Sequence, residues 1–339
     1  GHDITVIDSK SAPLLELSNT CDVFTLQGNG ADISLLKRAG AEKADLLIAV
    51  TSGDEVNILS CSAAKKLGTR HTIARVRNPE YSGLVQLMKS EMNLSLTINP
   101  ELTAAKEVYR TLRFPAAAKI DTFSRGRVEL AQLTVYDNSP ICGSTLIELR
   151  SKLNIRFLIC SVLRDNVAFI PNGSFVIQPK DIICITAPDD EITELFKAIG
   201  AYKQPVRDVM ICGGGRTTYY LEAMLQKGYT VFELSRREQG LAGMFHIPTD
   251  VTDPDACQRA IDEVVSQAGR IDVMINNAGF GISGAIEFTP VEQAKRQFDV
   301  NFFGMVNMNR AVIPVMRAQR SGRIVNLSSV AGAIPIPFQ

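Results

Sequence analysis

Several polar positions near the start of the chain fall where strands should end, and each could touch a nucleotide. Asp8 closes the apolar run ITVID (4–8), where a carboxylate can accept hydrogen bonds from both ribose hydroxyls of an adenine nucleotide. Gly28-Asn29-Gly30 ends the next run, DVFTLQG (22–28), and lets backbone approach an adenine ring. Thr51 and Ser52 offer hydroxyls after DLLIAV (45–50), and Arg75, in TIARVR (72–77), could reach phosphate. Each also has a plainer use: a solvated turn acid for Asp8, a helix cap for Thr51 or Ser52, a surface ion pair for Arg75. A second glycine cluster follows the strand VMICGGG (209–215). There Gly213 and Gly215 fill the first two positions of G-x-G-x-x-G, but Thr218 takes the third, where it should crowd helix against strand.

The elements that must position these residues alternate. Ser11 is expected to cap a helix carrying Pro13 in its first turn, and Asp32 caps ISLLKRA, which Gly40 ends. DLLIAV is apolar enough to be buried on both faces, as a parallel sheet requires. A helix over 55–67, stopped by Gly68, leads to TIARVR. Strands and helices alternating at this spacing mean a doubly wound parallel sheet. From Pro115 the texture changes: VELAQLTVYD, a short helix in STLIELRSK, then IRFLICSVLRD, NVAFIPNG and DIICITAP make a small α+β unit, closed by the helix EITELFKAIG. Tyr202–Pro205 reads as a linker, after which the alternation returns. The expected fold is α/β: two incomplete Rossmann-like doubly wound parallel sheets flanking a small α+β domain, with boundaries at 1–117, 118–203 and 204–339.

Composition limits what such a chain can do. Lys plus Arg and Asp plus Glu are each 36, so the formal net charge is zero and no overall field draws it to nucleic acid or an acidic membrane. Its 339 residues are 45% apolar and 21% charged, which excludes disorder and predicts two or three domains. No apolar run approaches the ~20 residues of a membrane span. The seven cysteines stand singly, mostly in strand-like runs, so buried reduced thiols and a cytoplasmic location are expected. Three scattered histidines suggest no zinc site, and no metal is expected. Opening in a strand without Met, residue 1 reads as an internal position of a longer protein. A dinucleotide fold needs a strand, a glycine turn and a helix before the strand that ends in Asp8, and only Gly1 stands there.

GHDITVIDS, LQGNGADISLLKRAGAEKADLLIAVTSGDEVN and IARVRNPEY resemble the nucleotide-binding domain of Trk-type potassium-uptake regulatory subunits. NPELTAAKEVYRTLRFP and NGSFVIQPKDIICITAPDDEITEL resemble the same family's linker and C-terminal ligand-binding domain, and the likeness covers about residues 1–215. It implies an NAD(H)- or ATP-binding regulator, oligomeric, cytoplasmic and peripheral at the inner face of the membrane, whose occupancy gates a membrane potassium-translocating subunit. No acid–base constellation occurs before residue 205. The missing glycine loop puts pyrophosphate binding by this half in doubt.

Beyond about Tyr220 the resemblance changes. LQKGYTVFELSRR, TDVTDPD, INNAGFG, FDVNFFG and GRIVNLSSVAG resemble a short-chain dehydrogenase/reductase over 220–339, a family whose glycine turn reads T-G-x-x-x-G-x-G, unlike the turn here. The likeness implies that Asp250 and Val251 hold an adenine ring, and that Asn277, Ala278 and Gly279 lie by the nicotinamide ribose while Asn276 ties strands together. In this family a Ser steadies the substrate carbonyl and an Asn orders a proton-relay water; Ser329 and Asn301 match them. The Tyr and Lys that complete the set have no match: no Tyr follows Tyr229. YTVFELS ends without an acid, and Arg236 and Arg237 follow, which favours a 2′-phosphate and hence NADP(H). The expectation is a nucleotide-sensing potassium-transport regulator joined to a truncated NADP-dependent oxidoreductase; the rival reading is an oxidoreductase acting on a carbonyl or alcohol. A change of family inside one helix, with ragged ends, favours a chimera over a natural fusion.

Overall fold

The computed structural model describes residues 1–81, 83, 94–113, 119–123, 128–188, 191–200, 206–226, 228–238, 241–282, 284 and 286–332. The linker expected at 202–205 lies outside them. The chain divides into two compact units, Gly1–Ala105 and Lys106–Gln339.

In the first unit the strands are β1 (Thr5–Asp8), β2 (Phe24–Gln27), β3 (Leu46–Ala49), β4 (His71–Arg75) and β5 (Leu96–Ile98). All pairings are parallel, but they form two sheets, β1-β2 and β3-β4-β5. Helices α1 (Ser11–Thr20), α2 (Ile33–Arg38) and α3 (Asp54–Leu67) connect them. Asp32 caps α2 as expected, its carboxylate accepting from Ser34 N at 2.8 Å. Ser11 is not a cap: it is already helical, and the cap position belongs to Lys10, whose amide donates to Asp8 Oδ1. Leu36, Ala41 and Ala64 form a small core touched by Ile7 of β1 and Leu47 of β3, so both sheets lean on one helix layer. The expectation that 45–50 is buried on both faces fails. Leu46, Ile48 and Val50 are about half exposed, as are Leu96 and Ile98, because no described helix covers their face.

Helix α4 (Pro100–Arg113) runs across the division between the units. The second unit then builds an antiparallel sheet in the order β6-β7-β10-β8-β9 from β6 (Lys119–Phe123), β7 (Val128–Thr134), β8 (Leu158–Arg164), β9 (Val167–Phe169) and β10 (Ile182–Thr186). Alternation puts Leu133, Val162, Ile183 and Ile185 inward against α5 (Leu146–Lys152) and α6 (Ile192–Ala198). Thr145 and Glu148 close a capping box at the start of α5.

A continuous parallel sheet follows, in the order β13-β12-β11-β14-β15. Its strands are β11 (Asp208–Cys212), β12 (Thr230–Ser235), β13 (Phe245–Pro248), β14 (Val273–Asn276) and β15 (Arg323–Asn326). Helix α7 (Arg216–Leu225) leaves the glycine turn and packs on β12. Helices α8 (Pro254–Ala268) and α10 (Met305–Gln319) bury Met210, Phe232, Leu234 and Met274 on the other face. Asn301 does not lie in a regular helix: a π-helical turn, Asp299–Gly304, joins α9 (Val291–Phe298) to α10. Among the described residues no helix is long and apolar enough to cross a membrane, no cluster could hold a metal, and the seven cysteines are free thiols.

Candidate functional site

In the first unit the expected residues gather at the carboxyl ends of their strands, where open α/β sheets bind ligands. Asp8 is opposite Gln27 in the β1-β2 ladder, and Gly28 N donates to the Asp8 carbonyl at 2.8 Å, so acid and glycine turn are adjacent. Gly28 has φ +154°, and a Cβ there would lie 2.7 Å from the Leu35 side chain. Asn29 Oδ1 accepts from Ala31 N, and Asn29 carbonyl from Asp32 N, which holds the Gly28–Gly30 turn against the start of α2.

Thr51 and Arg75 are engaged differently. The Thr51 hydroxyl donates to Asn57 Oδ1 at 2.7 Å, and Arg75 Nη2 donates to the Thr51 carbonyl at 2.9 Å. Asn57, fully buried on α3, also accepts from Thr51 N and donates to the Thr51 and Arg75 carbonyls, so one side chain joins the ends of β3 and β4. Sequence reasoning passed over Asn57; the signal was a polar residue on the inner side of α3. Asp54, also passed over, accepts from Arg77 N and Asn78 N and fixes the chain after β4.

In the second unit the order of the parallel sheet reverses between β11 and β14, and their carboxyl ends lie side by side there. Asn277 N donates to the Cys212 carbonyl at 2.9 Å. Gly213, at φ +105°, comes so close to the loop after β14 that a Cβ would lie 2.7 Å from Ala278 Cα and N. Thr218 does not crowd the turn. It is 2% exposed, its hydroxyl donates to the Gly213 carbonyl, and it accepts from Asn277 Nδ2 at 2.9 Å. A hydroxyl is tolerated because both its bonds are met by the turn and the neighbouring loop.

Ser235 ends β12, with Arg236 and Arg237 exposed beyond it. Asp250 follows β13. The Thr252 amide holds its carboxyl below the ordinary range against partial burial, helped by the Thr252 hydroxyl and by the charges of Arg236 and Arg296. Val251, next to it, is buried in the core and lies against Gly304. Asn276 ties strands as expected, donating to Asn326 Oδ1 of β15 and to Asn309 Oδ1. The π turn presents Asn301 to the loop after β14: Oδ1 accepts from Phe280 N at 3.0 Å and Nδ2 donates to Phe280 carbonyl at 2.8 Å, with Gly279 beside it. Ser329 follows β15 at the same edge and takes the Gly332 amide on its carbonyl. The residues the sequence did not single out here are Glu222 and Glu233, both 1% exposed behind the glycine turn.

Strand-end turns of this kind, recurring in two parallel sheets, define an α/β protein of the Rossmann-like class. Residues 1–99 match the TrkA-N domain, 130–200 the TrkA-C domain and 212–339 the short chain dehydrogenase family. The Trk system potassium uptake protein TrkA homolog of Archaeoglobus fulgidus is 30% identical over 356 aligned positions, covering 98% of this chain and 79% of that one. The chain belongs to the family of Trk-type potassium-uptake regulators, and its last part is similar to the short-chain dehydrogenases. It spans about half the length of the bacterial Trk proteins it matches; that of Vibrio alginolyticus is 29% identical, covering 70% of this chain and 53% of that one. The 3-ketodihydrosphingosine reductase of Bacteroides thetaiotaomicron is 39% identical over 128 residues, 38% of this chain and 47% of that one. The GsuK RCK domain shares the fold, with a TM-score of 0.56 at 17% identity, covering 96% of this chain and 68% of that one.

Proposed function

We propose that residues 1–203 sense a nucleotide, NAD(H) or ATP, and transmit its occupancy to a membrane-embedded potassium-translocating subunit from the cytoplasmic side, in an oligomer. The sensing domain runs over 1–117, and the α+β domain, 118–203, is its regulatory companion. The observation that carries this reading is the joining of Asp8 to the Gly28–Gly30 turn at the ends of two paired strands. There a carboxylate can take ribose hydroxyls while the glycines admit a base. Thr51 and Arg75 frame the neighbouring strand ends. Calorimetric titration of the protein with NADH and with ATP tests it: wild type binds one of them, and Asp8→Ala removes that binding. Unchanged affinity in Asp8→Ala would strike Asp8 from the site.

For residues 204–339 the reading is an NADP(H) site. Gly213 and Gly215 receive phosphate at the start of α7, Arg236 and Arg237 the 2′-phosphate, Asp250 and Val251 flank the adenine, and Asn277–Gly279 face the nicotinamide ribose. An oxidoreductase reading is favoured by one observation, the locking of Asn301 onto Phe280 by the π turn. In it Ser329 steadies the oxygen of a carbonyl or alcohol substrate. No Tyr follows Tyr229 in residues 204–339, so these residues by themselves supply cofactor contacts and not the proton donor. NADPH oxidation with a panel of ketones measures this directly, and sustained turnover would refute it.

A further inference from the structure

Behind the glycine turn lie two carboxyls that the nucleotide site does not use. Glu233 points from β12 toward the turn, so closely that a Cβ on Gly214 would overlap its Oε1. Glu222 comes from α7, the helix that the turn opens. Both are 1% exposed, and Glu222 Oε1 and Glu233 Oε2 are buried without a hydrogen-bond partner. Two ionised carboxylates in that position would each lack a bond they need and would repel each other.

The contacts of Ser235 with its neighbours constrain where a hydroxyl hydrogen can sit. Ser235 Oγ lies 2.7 Å from Glu233 Oε1 and 2.7 Å from the Arg237 carbonyl. With Glu233 ionised, both neighbours are acceptors, and one hydroxyl hydrogen cannot serve both. With Glu233 protonated, its hydroxyl donates to Ser235 Oγ and Ser235 donates onward to Arg237, so both short contacts become hydrogen bonds. His246 Nε2, opposite on β13, sits 3.2 Å from Ser235 Oγ and from Ser235 carbonyl and can donate to either.

We propose that Glu222 and Glu233 share a retained proton at neutral pH, and that anion binding at the Gly213–Gly215 turn is coupled to it: phosphate binds when the pair is protonated and is opposed when the pair ionises. This coupling rests on the reading of the turn as a phosphate site. Only the Gly214 backbone separates Glu233 from that turn, so a buried negative charge there acts on the phosphate with little screening. Burial, and then the nearness of Glu233, push the Glu222 carboxyl up to about 7, although the Leu241 amide opposes the shift. The other ionisable groups on the surrounding elements are Arg216, Tyr219 and Tyr220 on α7, Arg236, Arg237 and Glu238 after β12, His246 on β13, and on β11 Asp208 and Cys212, whose carboxyl and thiol burial pushes up. The three arginines are exposed and attract phosphate.

Two measurements on the full chain test the pair and the coupling separately. In a carbon-13 NMR titration of carboxyl-labelled glutamate, wild type should show one resonance with a midpoint near 7. It should vanish in Glu222→Gln and move to lower pH in Glu233→Gln. No glutamate titrating above pH 6 would overturn the shared proton. In calorimetric titration with NADPH at pH 6, 7 and 8, in buffers of different ionisation enthalpy, affinity should fall by up to about tenfold between pH 7 and 8 with matching proton uptake. Glu233→Gln should bind at pH 8 as tightly as wild type at pH 6; the comparison between the two proteins removes the protons of NADPH's own phosphate. Binding that is independent of pH, or unchanged in Glu233→Gln, would overturn the coupling. No NADPH binding at any pH, with the NMR midpoint in place, would overturn the phosphate-site reading and the coupling with it, and leave the proton pair standing.

Discussion

The two parallel-sheet regions start from the same plan and end differently. In residues 208–326 the order β13-β12-β11-β14-β15 is unbroken, and β11 at its centre has Val209, Met210 and Ile211 fully buried. In residues 5–98 the described strands are split into β2-β1 and β3-β4-β5, and none of them pairs on both sides as β11 does except β4. A central strand hydrogen-bonds on both edges, and its helix covers one face, so it carries two neighbours and a layer of core. The first region accordingly leaves Leu46, Ile48 and Leu96 half exposed where the second leaves nothing of the kind on its inner strands. The acids differ too. Asp8 stands at a strand end, partly open to solvent, whereas in the second region the strand end is Ser235 and the acid, Glu233, lies two residues back and buried.

The largest test of this contrast is in the cores. Ile211→Ala should cost about 2–5 kcal/mol in urea unfolding, and Ile48→Ala under about 0.5 kcal/mol. Equal costs would mean that the exposed face of the first sheet is covered in solution. The buried acid gives the next effect. Folding raises the Glu222 carboxyl to about 7, so the stability of its neutral form is fully present below about pH 4 and is lost as pH rises through 7. Glu222→Gln should therefore match wild type at pH 4 and be more stable at pH 8 by up to about 3 kcal/mol, read from denaturation midpoints at the two pH values. A gain that is the same at both would deny the titration. Arg236→Asp should lower the preference for NADPH over NADH by roughly tenfold, about 1.4 kcal/mol, in competitive binding; an unchanged ratio would remove Arg236 from the 2′-phosphate position. The smallest effect should be the same in both regions. Asp32 and Asp253 each cap a helix by accepting an amide two residues on, and each change to Ala should cost about 1 kcal/mol. Unequal losses would show that the split sheet weakens even its local structure.

Much of this was legible in the chain. Asp32, Gly40 and Gly68 marked helix ends, because caps and stops act over a few residues. The two glycine turns, Asp8 and Asn277 were found at strand ends, because a side chain that follows an apolar run is carried to the sheet's edge by that run. Ser11 was misread because Ser and Lys both stood before Pro13, and only the Asp8 bond to Lys10 decided which came first. Asn301 in a π turn rather than a regular helix was not legible, since the extra residue is accommodated by contact with the loop after β14.

By itself the sequence determined the elements, their order and the change of family near Tyr220, all of which depend on periodicity and on neighbours a few residues apart. Only the tertiary structure decided that Asn57 would join two strand ends, that Thr218 would fit a glycine position, and that Glu222 and Glu233 would both be buried behind the second turn. Those outcomes depend on residues 11 to 59 positions apart, whose hydrogen bonds and charges exist only once water has been excluded between them.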